Sequence, residues 1–368
     1  MNEISAGPKN DSQMQSQPQP EARLDSQAVL DLAMDCGFDL AGISEIEISA
    51  HEKEKYRRWL DAGNHGGMEY LKNGLEIREN PRLLLDTAMS VISLGLLYRT
   101  PETVPSRPDC GIVSRYALGR DYHKVMRGKL KDFCQKLERM AEKSSLRCFT
   151  DSAPVFEKLY AAQAGLGVRG KNSLVISPHL GSEFFIGEVL ISLGLEACKP
   201  LKFEPCKSCV RCVEACPAGA ILDDRQINAS KCIAYLTIEH KDAIPEDLCP
   251  SVGLRIFGCD ECQRCCPWNR RHIYTREKDF ACRLTPEDLR LDRLLEMTEE
   301  EYLKKFEGSV IRRAGWIRFM RNVIVAAGNS GNPNLIAAVD SFRRHDSPVL
   351  SLQAEYASRR LEATTSGG

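Results

Sequence analysis

The chain has 368 residues, a formal net charge of −1 and 27% charged residues. So even a balance gives no global basic field for nucleic acid and leaves that task to a local stripe. No apolar run approaches the length of a membrane span. Sixteen cysteines without a charged-then-apolar leader point to a reducing cytoplasm rather than to a disulfide-stapled exterior.

Residues 1–22 are rich in Gln, Ser, Pro and Asn and are expected to form a disordered tail. Ser26 to Cys36 has helical spacing and stops at Gly37. Strands are predicted at Phe38–Ile43, Val91–Tyr98, Gly111–Leu118, Leu146–Thr150, Ser173–Ser177 and Phe184–Leu193, with helices near 51–62, 121–143 and 155–166. This alternation predicts an α/β or α+β sheet domain over 23–195. The segment 196–275 carries the cysteine clusters. From 276 to 363 the strand pattern disappears, and the whole chain reads as α+β. Thr285-Pro286-Glu287 and the capping box at Thr298-Glu-Glu-Glu301 look like helix starts. Apolar spacing through Trp316, Met320, Val323, Leu335 and Leu352 predicts helical hairpins resembling a short HEAT- or armadillo-type stack. Residues 364–368 are expected to be disordered.

The most specific signal is Cys206-x2-Cys209-x2-Cys212-x3-Cys216-Pro217, followed by Cys259-x2-Cys262-x2-Cys265-Cys266-Pro267, with Cys232 alone between them. The first run is the bacterial-ferredoxin pattern, in which three close thiolates hold one 4Fe–4S cluster and the cysteine before proline reaches the other. Zinc prefers two separated C-x2-C pairs, which this third cysteine does not fit. Cross-ligation gives Cys206, Cys209, Cys212 and Cys266 to a first cluster, and Cys216, Cys259 and Cys262 to a second. Cys232 and Cys265 compete for the last place, and spacing alone favours Cys265.

Around these runs lie Cys232-Ile-Ala-Tyr-Leu-Thr-Ile-Glu239-His240, Gly258-Cys-Asp-Glu-Cys-Gln and Cys266-Pro-Trp268-Asn269. Earlier come His65-Gly-Gly-Met68-Glu-Tyr70, Ser114-Arg-Tyr-Ala-Leu-Gly-Arg-Asp-Tyr-His123, Asp151-Ser-Ala-Pro154, Gly165-Leu-Gly-Val-Arg-Gly-Lys-Asn-Ser173 and Gly187-Glu188. Gly308-Ser309-Val-Ile-Arg-Arg313 follows later. In this order, over residues 25 to 330, they resemble the tRNA epoxyqueuosine reductases. The resemblance implies reduction of epoxyqueuosine to queuosine at the wobble position (34) of tRNA, the last step of queuosine biosynthesis. It implies cobalamin held by the N-terminal domain and two 4Fe–4S clusters, a low-potential electron donor and a monomer. It places the last ligand at Cys232, and Cys265 departs from the family pattern.

Removing an epoxide oxygen takes two electrons, which side chains cannot supply but a cofactor can, and a proton donor at the departing oxygen. Asp151 is the candidate donor. It follows the strand Leu146–Thr150, precedes a helix, and sits where the family has its donor. Burial against the cofactor is expected to raise its pKa above the usual ~3.9; the plainer role is a helix cap. The matched motifs make Ser114, Arg115, Tyr116, Asp151, Lys171, Asn172 and Ser173 candidate cobalamin contacts. Asp121-Tyr-His123 begins an Asp-x-His-x-x-Gly cobalamin motif, but Met126 stands where glycine belongs, so no histidine is expected to ligate cobalt. Arg312, Arg313, Arg318 and Arg321 form a candidate tRNA phosphate stripe, the last two sharing a helix face at i, i+3. Two rival readings are a reductive-dehalogenase-like enzyme and a plain electron carrier. The first would carry an export leader, and the second has no need of a large sheet domain.

Overall fold

A computed structural model of the protein describes residues 24–101, 104, 107–271 and 273–366. The expected tail at 1–22 lies outside them. Four strands form the main sheet: β1 (Leu40–Glu45), β2 (Ser90–Leu97), β4 (Leu146–Phe149) and β7 (Phe184–Ile191), in the order β1-β2-β7-β4. Between them in sequence lie β3 (Ile112–Val113), β5 (Val168–Arg169) and β6 (Val175–Ile176), and β8 (Arg255–Phe257) follows. Every neighbour in the main sheet is antiparallel, so the domain is α+β rather than a parallel α/β unit. All eight residues of β2 are buried. Helices cover both faces, which explains why Ser-Val-Ile-Ser-Leu-Gly-Leu-Leu shows no alternation.

One face packs on helices Ser26–Asp35 and Tyr122–Met140 through Val29, Ile92, Leu94, Met126, Phe133 and Val189. Gly187 allows this approach, because a Cβ there would meet Met126 and Leu130 at 3.0 and 3.1 Å. The other face packs on Phe156 and Tyr160, at the helix Glu157–Gln163, through Val91, Phe149 and Leu190. The predicted strand Gly111–Leu118 shrinks to β3, because Arg115–Ala117 turns into a 3-10 helix. β3 pairs in parallel with β8 and ties the sheet domain to the cysteine segment.

The C-terminal part is helical; the expected capping box forms at Thr298/Glu301, and the start at Thr285 forms a second one with Asp288. Helices Trp316–Ser330 and Pro348–Ser366 pack closely enough that a Cβ on Gly328 would meet Ala357 at 2.7 Å. The last helix runs to Ser366, so 364–366 are helical where fraying was expected, and 367–368 lie outside the described residues. One core joins Cys110, Val113, Leu236 and Phe257 with the C-terminal Phe319, Val323 and Leu350. It does not divide at residue 275. Among the described residues, no helix is long and apolar enough to cross a membrane.

Arg321 corrects the phosphate stripe. Its side chain is 0% exposed, and its guanidinium donates to the carbonyls of Leu236, His240 and Asp242 and to Asn322 Oδ1. It clasps the end of helix Ile233–Ile238, where unpaired carbonyls attract a cation. The i, i+3 spacing with Arg318 is real, but packing turns Arg321 inward. Arg321→Leu should cost about 3 kcal/mol or more by orphaning these acceptors. Thermal unfolding should then fall by several degrees, and an unchanged Tm would remove the clasp from the stability of this junction.

Candidate active site and cysteine segment

The two cysteine runs place short helical turns, Arg211–Glu214 and Glu261–Arg264, against one another. Electrostatic contact between thiols sorts them into two neighbourhoods. Cys212 feels Cys206 and Cys266, while Cys266 feels Cys206 and Cys209. Cys232 feels Cys216, and Cys259 and Cys262 both feel Cys232, while Cys262 also feels Cys212 across the two groups. Cys265 falls beside the first group, near Cys209, Cys212 and Cys266. Its thiol donates to the Cys262 carbonyl at 3.6 Å. Among the described residues no three His, Cys, Asp or Glu groups converge on a single ion.

Backbone N–H groups point at several sulfurs, as a thiolate cage requires. Lys171 N donates to Cys206 Sγ at 3.3 Å and Ala220 N to Cys216 Sγ at 3.2 Å. Cys232 is met by the N–H groups of Ala234 and Tyr235, and Cys266 by those of Trp268 and Asn269. These donors fit iron–sulfur clusters held by the two groups.

A cleft of about 840 Å³ opens between the sheet domain, the second cysteine group and the C-terminal helices. Cys232 and Cys259 reach it from one side, Arg313 and Arg318 from another, and Asp151 from the sheet. Its aromatic wall is built by Tyr122 and Phe185, stacked at 4.1 Å with rings 5° apart. An open cleft with a flat aromatic wall beside Cys232 and Cys259 has room for a large planar ligand.

Asp151 follows β4 with φ +47°, a left-handed backbone that is rare outside glycine. Three partners hold it there. Tyr122 donates its hydroxyl to Asp151 Oδ2 at 2.5 Å, His123 Nε2 lies 3.6 Å from the same oxygen, and Asp151 N donates to Glu157 Oε1 at 2.7 Å. His123 Nδ1 is 2.8 Å from Asp121 Oδ1, so both ring nitrogens face carboxylates. The side chain of Asp151 is 64% exposed in the open cleft. The hydrogen bond from His123 holds its carboxyl below the usual carboxylate range, against desolvation and helped by Tyr122. In the open cleft the partners that favour the anion outweigh burial, so the expected rise depends on the burial a cofactor would add. Burial works against the charged His123, yet Asp121 and Asp151 raise its pKa. Burial, with the Asp151 charge beside it, pushes Glu157 up to about 8.

The signs define a pH test. A depressed Asp151 contributes stability above ~3.9 that is lost as pH falls, and a raised His123 contributes below ~6.5 and loses it as pH rises. The Tm deficit of His123→Gln should therefore be largest between about 4 and 6.5 and shrink in alkali. A pH-independent deficit would mean that packing, not charge, is what the imidazole supplies.

Of the predicted cofactor contacts, Tyr116 and Asp151 line the cleft. The others lie elsewhere. Arg115 pairs with buried Glu183, and its N–H donates to Asp260 at 2.6 Å. Ser114 is packed against Gly258. Lys171 Nζ donates to the carbonyls of Lys207 and Cys209, bracing the first cysteine loop. Asn172 donates to Cys262 O at 3.3 Å, and Ser173 borders a separate pocket. The motif is thus a bracket for the cysteine segment. Arg312 is exposed, while Arg318 donates to Ile238 O at 3.0 Å. Tyr122 and Glu157 were not singled out. Their signals were adjacency to His123 and a carboxylate opening the helix after Asp-Ser-Ala-Pro.

The geometry sets a double cysteine segment beside a cofactor-sized cleft that ends on a held carboxylate. The family described as 4Fe-4S double cluster binding domain matches residues 205–269, and epoxyqueuosine reductase QueG, DUF1730, matches residues 78–152. The epoxyqueuosine reductase of Pseudomonas aeruginosa is 40% identical over 350 residues, covering 94% of this chain and 96% of its own. That of Escherichia coli is 40% identical over 329 residues, covering 88% and 86%. The chain belongs to the epoxyqueuosine reductase family. A crystal structure of epoxyqueuosine reductase with a tRNA-Tyr epoxyqueuosine-modified stem loop matches with TM-score 0.80 and 25% identity, over 91% of this chain and 98% of that one. The Bacillus subtilis enzyme, solved with its catalytic aspartate loop swung out of the active site, matches with TM-score 0.82 and 26% identity, over 93% and 94%.

Proposed function

We propose that this protein reduces epoxyqueuosine to queuosine at the wobble position of tRNA, with Asp151 as proton donor and cobalamin and two 4Fe–4S clusters as cofactors. The carrying observation is the convergence, on one cleft, of Asp151 from the sheet and Cys232 and Cys259 from the cysteine segment. The first cluster would be held by Cys206, Cys209, Cys212 and Cys266, and the second by Cys216, Cys232, Cys259 and Cys262. The thiol neighbourhoods support this division, and they support Cys232 over Cys265, which lies with the first group.

Cobalamin in the cleft supplies low-potential electron chemistry beyond the reach of side chains. Tyr122 and Phe185 offer it a stacking wall and Tyr116 a further contact. No histidine ligand is assigned, since both nitrogens of His123 are committed to Asp121 and Asp151. The chain's own residues then manage the proton. Overall, two electrons and two protons turn the epoxide into an alkene and water. Filling the cleft removes water from Asp151 and pushes its carboxyl up toward a donating range. A proton on His123 Nε2 faces Asp151 Oδ2, and Tyr122 orients that oxygen. Glu157, neutral below about 8, holds the Asp151 backbone without adding a second negative charge.

Arg312, Arg313 and Arg318, without Arg321, are the phosphate contacts we assign, at the mouth formed by helices we read as a short HEAT- or armadillo-type stack. The decisive experiment is nucleoside mass spectrometry of epoxyqueuosine tRNA incubated anaerobically with the protein, cobalamin and a low-potential reductant. A cobalamin-dependent loss of about 16 mass units, one oxygen atom, is expected. No loss with both cofactors verified in place would redirect the search to small-molecule substrates.

A further inference from the structure

Electrons must reach the cleft from outside, and the two cysteine groups differ in where they face. Cys232 and Cys259 of the second group line the cleft, and no thiol of the first group does. The first group lies toward another surface, where Cys206 and Cys209 are partly exposed. Its loop carries Val210 and Val213, 40% and 39% exposed, where apolar side chains gain nothing from water. Lys207 and Arg211 flank them, both exposed and without a carboxylate partner among the described residues. Lys171 braces this loop by donating to the carbonyls of Lys207 and Cys209. The surface is therefore held in shape before any partner arrives, with Glu214 its one exposed acid on the short helix.

We propose that the patch of Lys207 and Arg211 around Val210 and Val213 docks a small, acidic, low-potential electron-carrier protein, making the first cluster the port of entry. The inference rests on the cluster assignment above. Each encounter oxidises the carrier by one electron and reduces the first cluster by one. With both clusters in place the electron would go on to the second group beside the cleft, and two encounters would supply the two electrons of one turnover. A basic rim with an apolar centre suits a protein partner. Charge steers the encounter and the small apolar contact keeps the complex short-lived. RNA phosphates would use the rim but leave the valines without a role.

The test uses the cluster-loaded protein without tRNA or cobalamin. Cluster bleaching is followed by anaerobic stopped flow with reduced flavodoxin, with a reduced acidic ferredoxin, and with dithionite. The double variant Lys207→Glu/Arg211→Glu should slow reduction by at least one of the two carriers about tenfold or more and reverse its salt dependence. Dithionite rate and iron content should stay at wild-type values. Lys207→Gln/Arg211→Gln should give a smaller loss, and Lys131→Glu on the helix Tyr122–Met140 none. Unchanged rates with both carriers, or an equal loss with dithionite, would overturn the proposal. So would loss of tRNA affinity with carrier rates intact, which would give the patch to RNA. Failure of epoxyqueuosine turnover under dithionite would count against the substrate and leave this assay untouched.

Discussion

Asp151→Asn should lower turnover of epoxyqueuosine tRNA by about 10²-fold or more, the usual scale for removing a positioned proton donor. Iron content and cobalamin binding should stay at wild-type levels. The amide keeps the shape and the Tyr122 contact and cannot donate a carboxyl proton. Because His123 and Tyr122 hold the carboxyl low in the open cleft, the reaction should respond to cleft filling. The pH profile of wild-type turnover should carry an acid limb lying above the usual ~3.9 of a carboxyl, and the Asn variant should show no such limb. Wild-type turnover by the Asn variant would take Asp151 out of the mechanism and leave His123 and Tyr122 as the groups to test.

Cys232→Ser and Cys265→Ser should separate sharply. The first should drop iron from about eight per chain toward four and bleach part of the visible absorption. A hydroxyl is a poor substitute for thiolate, and the Ala234 and Tyr235 N–H groups point at this sulfur. The second should keep close to eight irons, because the Cys265 thiol sits with the first group, whose four ligands are already assigned. The reverse result would exchange the two roles, and iron analysis with electron paramagnetic resonance of the reduced protein decides between them.

Much of this was legible before any fold was known. The C-x2-C-x2-C-x3-C-P run is a local constraint, since one cubane needs thiolates within a few residues of one another, so spacing carried the iron–sulfur reading. The order of helices and strands in the sheet domain was also local, set by periodicity and by caps such as Thr298/Glu301. Long matched motifs carried the family.

The structure decided what depends on distant chain segments meeting. Spacing favoured Cys265 for the second cluster, yet the fold sets it beside Cys209 and Cys266 while Cys232 stands by Cys216, because the turn Glu261–Arg264 aims Cys265 at the other run. Helical spacing put Arg321 on a phosphate-gripping face, and packing on helix Ile233–Ile238 buried it among carbonyls. Lys171 and Asn172, candidate cofactor contacts by motif, brace the cysteine loops in the fold. Asp151 was visible as a residue but not as an acid of a given strength. Tyr122 and His123 come 29 and 28 positions earlier and meet it only because helix Tyr122–Met140 lies across the sheet, so its pKa belongs to the tertiary structure. Sequence settles chemistry when the participating atoms are neighbours along the chain. Charge balance and burial are settled by what the fold brings alongside, and so are the neighbours on which a choice between two similar ligands rests.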